Sequence, residues 1–333
     1  MRKTVYGLAA ATLLALASGA AHAAAEFKTM TIVVGFSPGG GYDAYARVLS
    51  RHIGRHVPGN PNVIVQNMPG SSRLKAVQYL DANAQKDGSV ITAFNPGLIT
   101  ESLLSPEKIR FKFTDVAWVG SITRDLRACY AWGASGIKTW DDLLKATEFN
   151  IGAPAAGTST YINAAVLKNL FGVKLRQVTG YPGSAEERLA IERRELDGGC
   201  GAWSSNPPDW VENRKINPIV SFSPVPIPNI YGNPPFVGDL AKTKEDKDLI
   251  NVLIAPDAVG RPYVASKQVP ADRLAAVRQA FDETMKDAAF LAETTKLTLP
   301  VEGPLQGAEA AKIIDSIYTA PPALVERAKA IAK

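Results

Sequence analysis

The chain has 333 residues, 46% of them hydrophobic, with 37 basic and 32 acidic side chains and a formal net charge of +5. That is too apolar for a disordered chain and too long for one small core, so two lobes are expected. The charges are spread without a basic block, which argues against a nucleic-acid-binding arm, and the mild positive balance favours an anionic ligand.

Met1-Arg2-Lys3 precedes a mostly apolar stretch from Val5 to Leu16, and small residues then lead to Ala21-His22-Ala23. A basic start, an apolar segment and an A-x-A end describe a signal peptide over residues 1–23, cleaved after Ala23. A membrane anchor is the alternative, but the stretch is short and small residues close it. Export with cleavage leaves a net charge of +3, since the leader carries Arg2 and Lys3 and no acid.

The first element of the mature chain is a β-branched apolar run, Thr31 to Phe36, read as a buried strand. It stops at Ser37-Pro38, and Gly39, Gly40 and Gly41 follow. Tyr42 and Asp43 then open a helix whose apolar face is Tyr45, Val48, Leu49 and Ile53. Glycines let the chain come close to a ligand, and a helix start presents free N–H groups and the positive end of the dipole, so this turn suits a small carboxylate or phosphate. It is neither G-x-x-x-x-G-K-[ST] nor a full G-x-G-x-x-G, and a plain strand-to-helix turn is the competing reading.

Further strand-like runs fall at 62–67, 89–94, 115–121, 126–132, 149–153, 174–179, 196–203, 217–222 and 259–264. Helical patterns fall at 72–84, 97–104, 140–147, 159–171, 184–194, 271–287, 288–296 and 307–317. The repeated β-then-α order predicts open α/β sheets. Residues 204–238, with three proline clusters, read as irregular surface chain.

Other strand ends carry similar turns: Met68-Pro69-Gly70-Ser71-Ser72, Phe94-Asn95-Pro96-Gly97, Gly152 through Gly157-Thr158-Ser159, and Gly180-Tyr181-Pro182-Gly183-Ser184. Ligands of open α/β sheets sit at the carboxyl ends of strands. The turns together predict a cleft between two lobes, lined by amides and hydroxyls. Arg73 is a candidate bidentate clamp, against a solvated surface role, and Tyr42, Tyr181 and Trp203 are candidate apolar walls.

Catalytic constellations are poorly supported. The mature chain keeps two histidines, His52 and His56, spaced i, i+4 as two zinc ligands are, but within His-Ile-Gly-Arg-His rather than H-E-x-x-H. There is no G-x-S-x-G and no C-x-x-C. No metal, cofactor or catalytic residue is therefore expected. The two cysteines, Cys129 and Cys200, favour a disulfide in an exported chain, with two buried thiols as the alternative.

The turns occur in an order that resembles the periplasmic solute-binding receptors of tripartite tricarboxylate transporters, the Bug-type receptors. The matching stretches are Val33–Asp43, Val65-Gln66-Asn67-Met68-Pro69-Gly70, Lys86-Asp87-Gly88, Gly157-Thr158-Ser159, Gly180–Ser184, Glu195-Leu196-Asp197-Gly198, Gly260-Arg261-Pro262 and Val269–Arg273. They span essentially the whole mature chain.

The resemblance implies a two-lobe periplasmic binding protein of type II, the Venus-flytrap fold, with two inter-lobe crossings. Residues 24–125 and 259–333 would form one lobe and 126–258 the other. It implies capture of a small organic anion, commonly a carboxylate, and delivery by a monomer to a permease of one large and one small membrane subunit. The carboxylate would be held, often through water, by Ser37, Gly39, Gly40, Gly41, Tyr42 and Asp43 and by Gly157, Thr158 and Ser159, with Ser72, Arg73, Asn95, Tyr181, Gly183, Ser184 and Trp203 around them. Arg73 and Leu74 stand where the family usually has Gly and Asn, and Tyr42 where Thr is common. A receptor that signals to a membrane sensor, or a secreted enzyme on the same fold, are the alternative functions.

Overall fold

The structure is a computed structural model, and it describes residues 26–70 and 74–333. The leader and the candidates Ser72 and Arg73 lie outside the described residues.

In chain order the first sheet receives β1 (Thr29–Val34), α1 (Gly41–Ile53), β2 (Asn62–Asn67), α2 (Leu74–Ala82), β3 (Val90–Ala93), α3 (Gly97–Leu104) and β4 (Val116–Ser121). The chain then builds β5 (Arg127–Trp132), α4 (Trp140–Lys145), β6 (Phe149–Ala153), α5 (Ser159–Asn169), β7 (Leu175–Thr179), α6 (Ser184–Glu192), β8 (Gly198–Ala202), α7 (Pro208–Glu212), β9 (Ile216–Ser221) and α8 (Lys244–Ile254). It closes with β10 (Pro262–Ser266), α9 (Ala271–Thr284), α10 (Ala288–Lys296), β11 (Leu305–Gln306), α11 (Gly307–Ile317) and α12 (Pro322–Ile331).

These strands form two mixed sheets, ordered β11-β4-β10-β3-β1-β2 and β7-β6-β8-β5-β9. β1 runs parallel to β2 and β3, and β10 enters antiparallel between β3 and β4. In the second sheet β6 is parallel to β7 and β8, while β5 is antiparallel to β8 and β9. The apolar runs of β1, β3 and β4 are almost wholly buried because helices cover both faces of the sheet. The apolar row of α1, with Tyr45, Val48, Leu49 and Ile53 each at 1% exposure or less, packs on one face with Ile32 and Val34. Val33 and Phe94 join the core on the other face with Val77, Leu80 and Ile99.

The two-lobe α/β architecture expected from the strand–helix alternation is present. The chain passes between the sheets at residues 122–126 and again at 255–261. The sequence division is corrected in one place. It leaves residues 322–331 with the first lobe, but α12 returns to the second: Ala328 is buried in that core, flanked by Leu324, Val325 and Ile331. Tyr161 and Asn169 of α5 donate to the carbonyls of Lys333 and Ile331. The apolar stripe of α12 has to be covered, and α8, with α3 and α5, supplies the cover. The region expected to be irregular contains α7, opened by Pro208 at its first turn, where a missing N–H costs nothing. Among the described residues no helix is long and apolar enough to cross a membrane.

Cys129 and Cys200 face each other in register on β5 and β8 and are disulfide-bonded. The bond joins neighbouring strands at the middle of the second sheet.

Candidate functional site

The carboxyl ends of β1, β3, β6 and β8, together with the start of the antiparallel β5, converge on one point between the lobes. A cavity of about 60 Å³ lies there, room for about two water molecules. Its first-lobe wall is Phe36, Gly40, Gly41, Tyr42, Asn95 and Arg261; the second lobe contributes Arg127, Thr158, Thr160, Ser184 and Ser205, with Glu187 and Arg188 beside them.

The β1–α1 turn is locked from within. The Asp43 carboxylate accepts from the Gly39 amide at 2.9 Å, from Arg47 Nε at 2.8 Å and from Asn67 Nδ2 at 2.9 Å. These donors hold its carboxyl below the usual carboxylate range, against the opposing effect of burial. Gly39 takes φ +85°, a left-handed backbone that glycine adopts without strain. Asp43 is thus a staple of the loop rather than a ligand contact, and it leaves the first-turn amides of α1 without partners inside the helix.

Tyr42 forms the floor. Its ring stacks on Phe36 with centroids 4.6 Å apart, and the Arg261 guanidinium lies 4.4 Å from its centroid. The phenol accepts from Asn95 Nδ2 at 3.1 Å and donates to the Gly260 carbonyl at 3.3 Å. Burial keeps it protonated.

Beneath the cavity lies a buried set of charges. Asp125, on the first crossing, accepts from Arg127 Nη1 at 2.6 Å and from Arg261 Nη1 at 2.9 Å. Arg127 also donates to Thr160 Oγ1 at 2.9 Å and to the Cys200 carbonyl at 3.3 Å. With the Asn163 amide turned to satisfy both its ends, Arg127 Nε donates to Asn163 Oδ1 at 3.1 Å. Each nitrogen of Arg127 thus has a partner. Arg261 differs: Nη2 reaches Ser205 Oγ at 3.2 Å, but its buried Nε has no acceptor. Arg127 and Arg261 are 2% and 1% exposed; burial works against their charge, but Asp125 together with the other acidic and phenolic groups around them outweighs it, so both stay charged.

Asp257 completes the set. Burial pushes its carboxyl well above the usual range, with Asp125 adding to the effect and Arg127 opposing it. Ser159 Oγ lies 3.0 Å from Asp257 Oδ1 and 3.1 Å from Asn95 Oδ1. Asn95 Oδ1 already accepts from the Gly97 and Ser159 amides, at 2.8 and 3.0 Å, so the single Ser159 hydroxyl proton is best placed on Asp257 Oδ1. Arg127 and Arg261 share the Asp125 carboxylate, and both line the cavity.

Six of the sequence candidates line the cavity: Gly40, Gly41, Tyr42, Asn95, Thr158 and Ser184. The other described candidates stand elsewhere for identifiable reasons. Ser37 Oγ donates to Glu186 Oε2 across the lobes at 3.1 Å, and Gly183 is pressed against that hydroxyl. The Gly39 carbonyl accepts from Arg188 at 3.1 Å. The Ser159 amide is taken by Asn95 Oδ1 at 3.0 Å, so the second loop does not offer it to a ligand. Gly157, at φ +80°, backs on to the Glu101 side chain instead of the cleft. Tyr181 packs beside Gly152, and Trp203 packs with Tyr130 and Tyr231 without lining the cavity. Sequence reasoning did not single out Arg127, Arg261, Thr160 or Ser205 as site residues. A signal existed for the first: Arg127 is the one charge in the apolar run Leu126–Trp132. His52 and His56 pair with acids on the far side of the first lobe, His52 Nε2 at 2.5 Å from Glu293 and His56 Nε2 at 2.8 Å from Asp287.

No family model and no curated protein matches the sequence. Solved structures do match the shape. The periplasmic binding protein BugD is similar with a TM-score of 0.72 at 18% identity, over 91% of this chain and 97% of its own. MatC from Rhodopseudomonas palustris, solved with malate, gives 0.72 at 17% identity over 92% and 99%. An R. palustris protein solved with adipate gives 0.72 at 17% over 92% and 97%. The fold is that of the periplasmic binding proteins. At these identities it is the fold that is shared, and the chain spans nearly the full length of each of these neighbours.

Proposed function

We propose that the protein is a Bug-type periplasmic solute-binding receptor that captures a small organic anion, a carboxylate, between its lobes and hands it to a tripartite tricarboxylate-type permease of one large and one small membrane subunit. The leader of residues 1–23 takes it to the periplasm, where it acts as a monomer. One lobe is residues 24–125 and 259–333, less the returning α12, and the other is 126–258. It binds and releases its ligand without chemistry: closure of the lobes is the event the permease reads.

One observation carries this reading. A cavity at the meeting point of both sheets is lined by the buried Arg261, whose Nε–H has no acceptor, and by Gly40 and Gly41 at the start of α1. A buried donor left unpaired costs about 1–3 kcal/mol, and a carboxylate oxygen would answer it with a charge-assisted bond. The motif order and the fold shared with structures solved with malate and adipate support the same class of ligand.

The test is a thermal-shift screen of mono-, di- and tricarboxylates and aromatic acids, followed by calorimetry on the hits. A true ligand at a hundred times its Kd adds about 2.7 kcal/mol and raises Tm. A neutral sugar or a cation as the sole ligand overturns the reading.

A further inference from the structure

Beside the first crossing a second depression of about 670 Å³ runs between the lobes, far larger than the anion cavity. Its size falls within the roughly 300–1,000 Å³ common for small-molecule sites. Thr295, Leu299 and Pro300 form the first-lobe wall; Trp203, Ile227 and Tyr231 form the other.

Two features show what this groove lacks. Trp203 is 4% exposed, and its Nε1–H is buried without an acceptor. Asn206, which lines both the groove and the anion cavity, has a buried Nδ2 with no acceptor. Indole N–H groups are donors only and normally find a partner when buried. The charges on the wall offset each other, Arg124 and Arg214 against Glu212 and Glu302, and Arg214 lies 5.5 Å from the Tyr231 ring centroid. Two donors on residues of the groove wall therefore lack acceptors, in a largely apolar and aromatic surround.

We propose that this groove is a second ligand site, for a small carboxylic acid with an aromatic or medium-chain body, whose oxygens accept from Trp203 and Asn206 while the body packs on Tyr231, Ile227 and Leu299. The walls come from both lobes, so an occupant bridges them and favours the closed arrangement. By linkage it tightens binding in the anion cavity, and the cavity ligand tightens binding in the groove. The inference goes beyond the proposed function and does not depend on which anion the cavity takes.

The test is calorimetric titration of the full mature chain with benzoate and with octanoate. Thr295→Trp, at an exposed position on α10, fills the groove from the first lobe; Trp203→Phe keeps a ring and removes the N–H. Saturable binding of at least one acid is expected, weakened tenfold or more by Thr295→Trp and about fivefold by Trp203→Phe. Absence of binding to the wild-type chain, or binding that Thr295→Trp leaves unchanged, overturns the proposal. Should Trp203→Phe fail to fold, Thr295→Trp decides alone. A compact dicarboxylate such as malate that binds Thr295→Trp as it binds the wild type belongs to the cavity, and would leave the receptor reading intact whatever becomes of the groove.

Discussion

Two glycines that look alike in sequence do different work. Gly41 opens α1 directly under Ser205 of the other lobe, and a β-carbon there would overlap the Ser205 hydroxyl and come 3.3 Å from Arg261 Nη2. Gly41→Ala therefore obstructs closure while sparing the core of either lobe. It is expected to weaken carboxylate binding tenfold or more, about 1.4 kcal/mol, with the melting temperature of the unliganded protein changed little; calorimetry beside a thermal melt reads both. Gly157 faces Glu101 instead, 2.7 Å from where a β-carbon would stand, in a left-handed conformation. Its role is to let the backbone turn before α5, and the Gly-Thr-Ser triplet alone does not distinguish that role from a ligand contact.

At the level of elements, α1 is secured at both ends by charge. Its N-terminus holds the Asp43 staple. Its C-terminal turn and the short 3-10 turn after it carry Arg51, His52, Arg55 and His56, which meet Glu293 and Asp287 of the α9–α10 region. His56, then the Ala289 amide and Arg55, hold the Asp287 carboxyl below the usual range, and Arg51 and His52 do the same for Glu293. A carboxyl depressed in the folded state stabilises the fold fully above its unfolded pKa, near 4, and that contribution fades as the pH falls through the folded value. Stability measured by denaturant should thus decline from about pH 4 downward. Asp287→Asn should lower stability at pH 7, flatten that decline, and converge with the wild type only below about pH 2. Parallel curves for the two proteins would show that the pair does not contribute. The His-x-x-x-His spacing is explained by this cluster, since both rings face acids of the first lobe.

For the whole molecule the decisive contact is where the two crossings meet. Asp125 on the first crossing ties Arg261 on the second to Arg127 at the start of β5, and its amide donates to the Asp257 carbonyl at 2.8 Å. Two buried guanidiniums depend on this carboxylate. Asp125→Asn keeps the shape but leaves their charge uncompensated and sets an NH2 against one of them. Removing one partner of such a buried set costs about 3–5 kcal/mol. Chemical denaturation should show that loss, and small-angle scattering should show the lobes no longer held at the present separation. A variant as stable as the wild type would mean that the crossings are joined by their backbone alone.

Periodicity and punctuation by themselves determined most of the secondary structure. Apolar runs of strand length, 3.6-residue stripes and glycine–proline turns are local signals, and the strands and helices they specify are found within a few residues. The fragment β11, the short α7 and the terminal α12 carried too little pattern to read, and nothing local to 322–331 says which lobe covers it. The glycine turn before α1 was legible because strand, turn and helix are contiguous. The arginines were not, because their chemistry is decided by partners far away in sequence: Arg261 reaches Asp125 across 136 residues. Whether a buried N–H is answered or left open depends on atoms that only the folded chain brings together. That is why Arg127 reads as structure, Arg261 as a place for an anion, and Trp203 as the wall of a different groove.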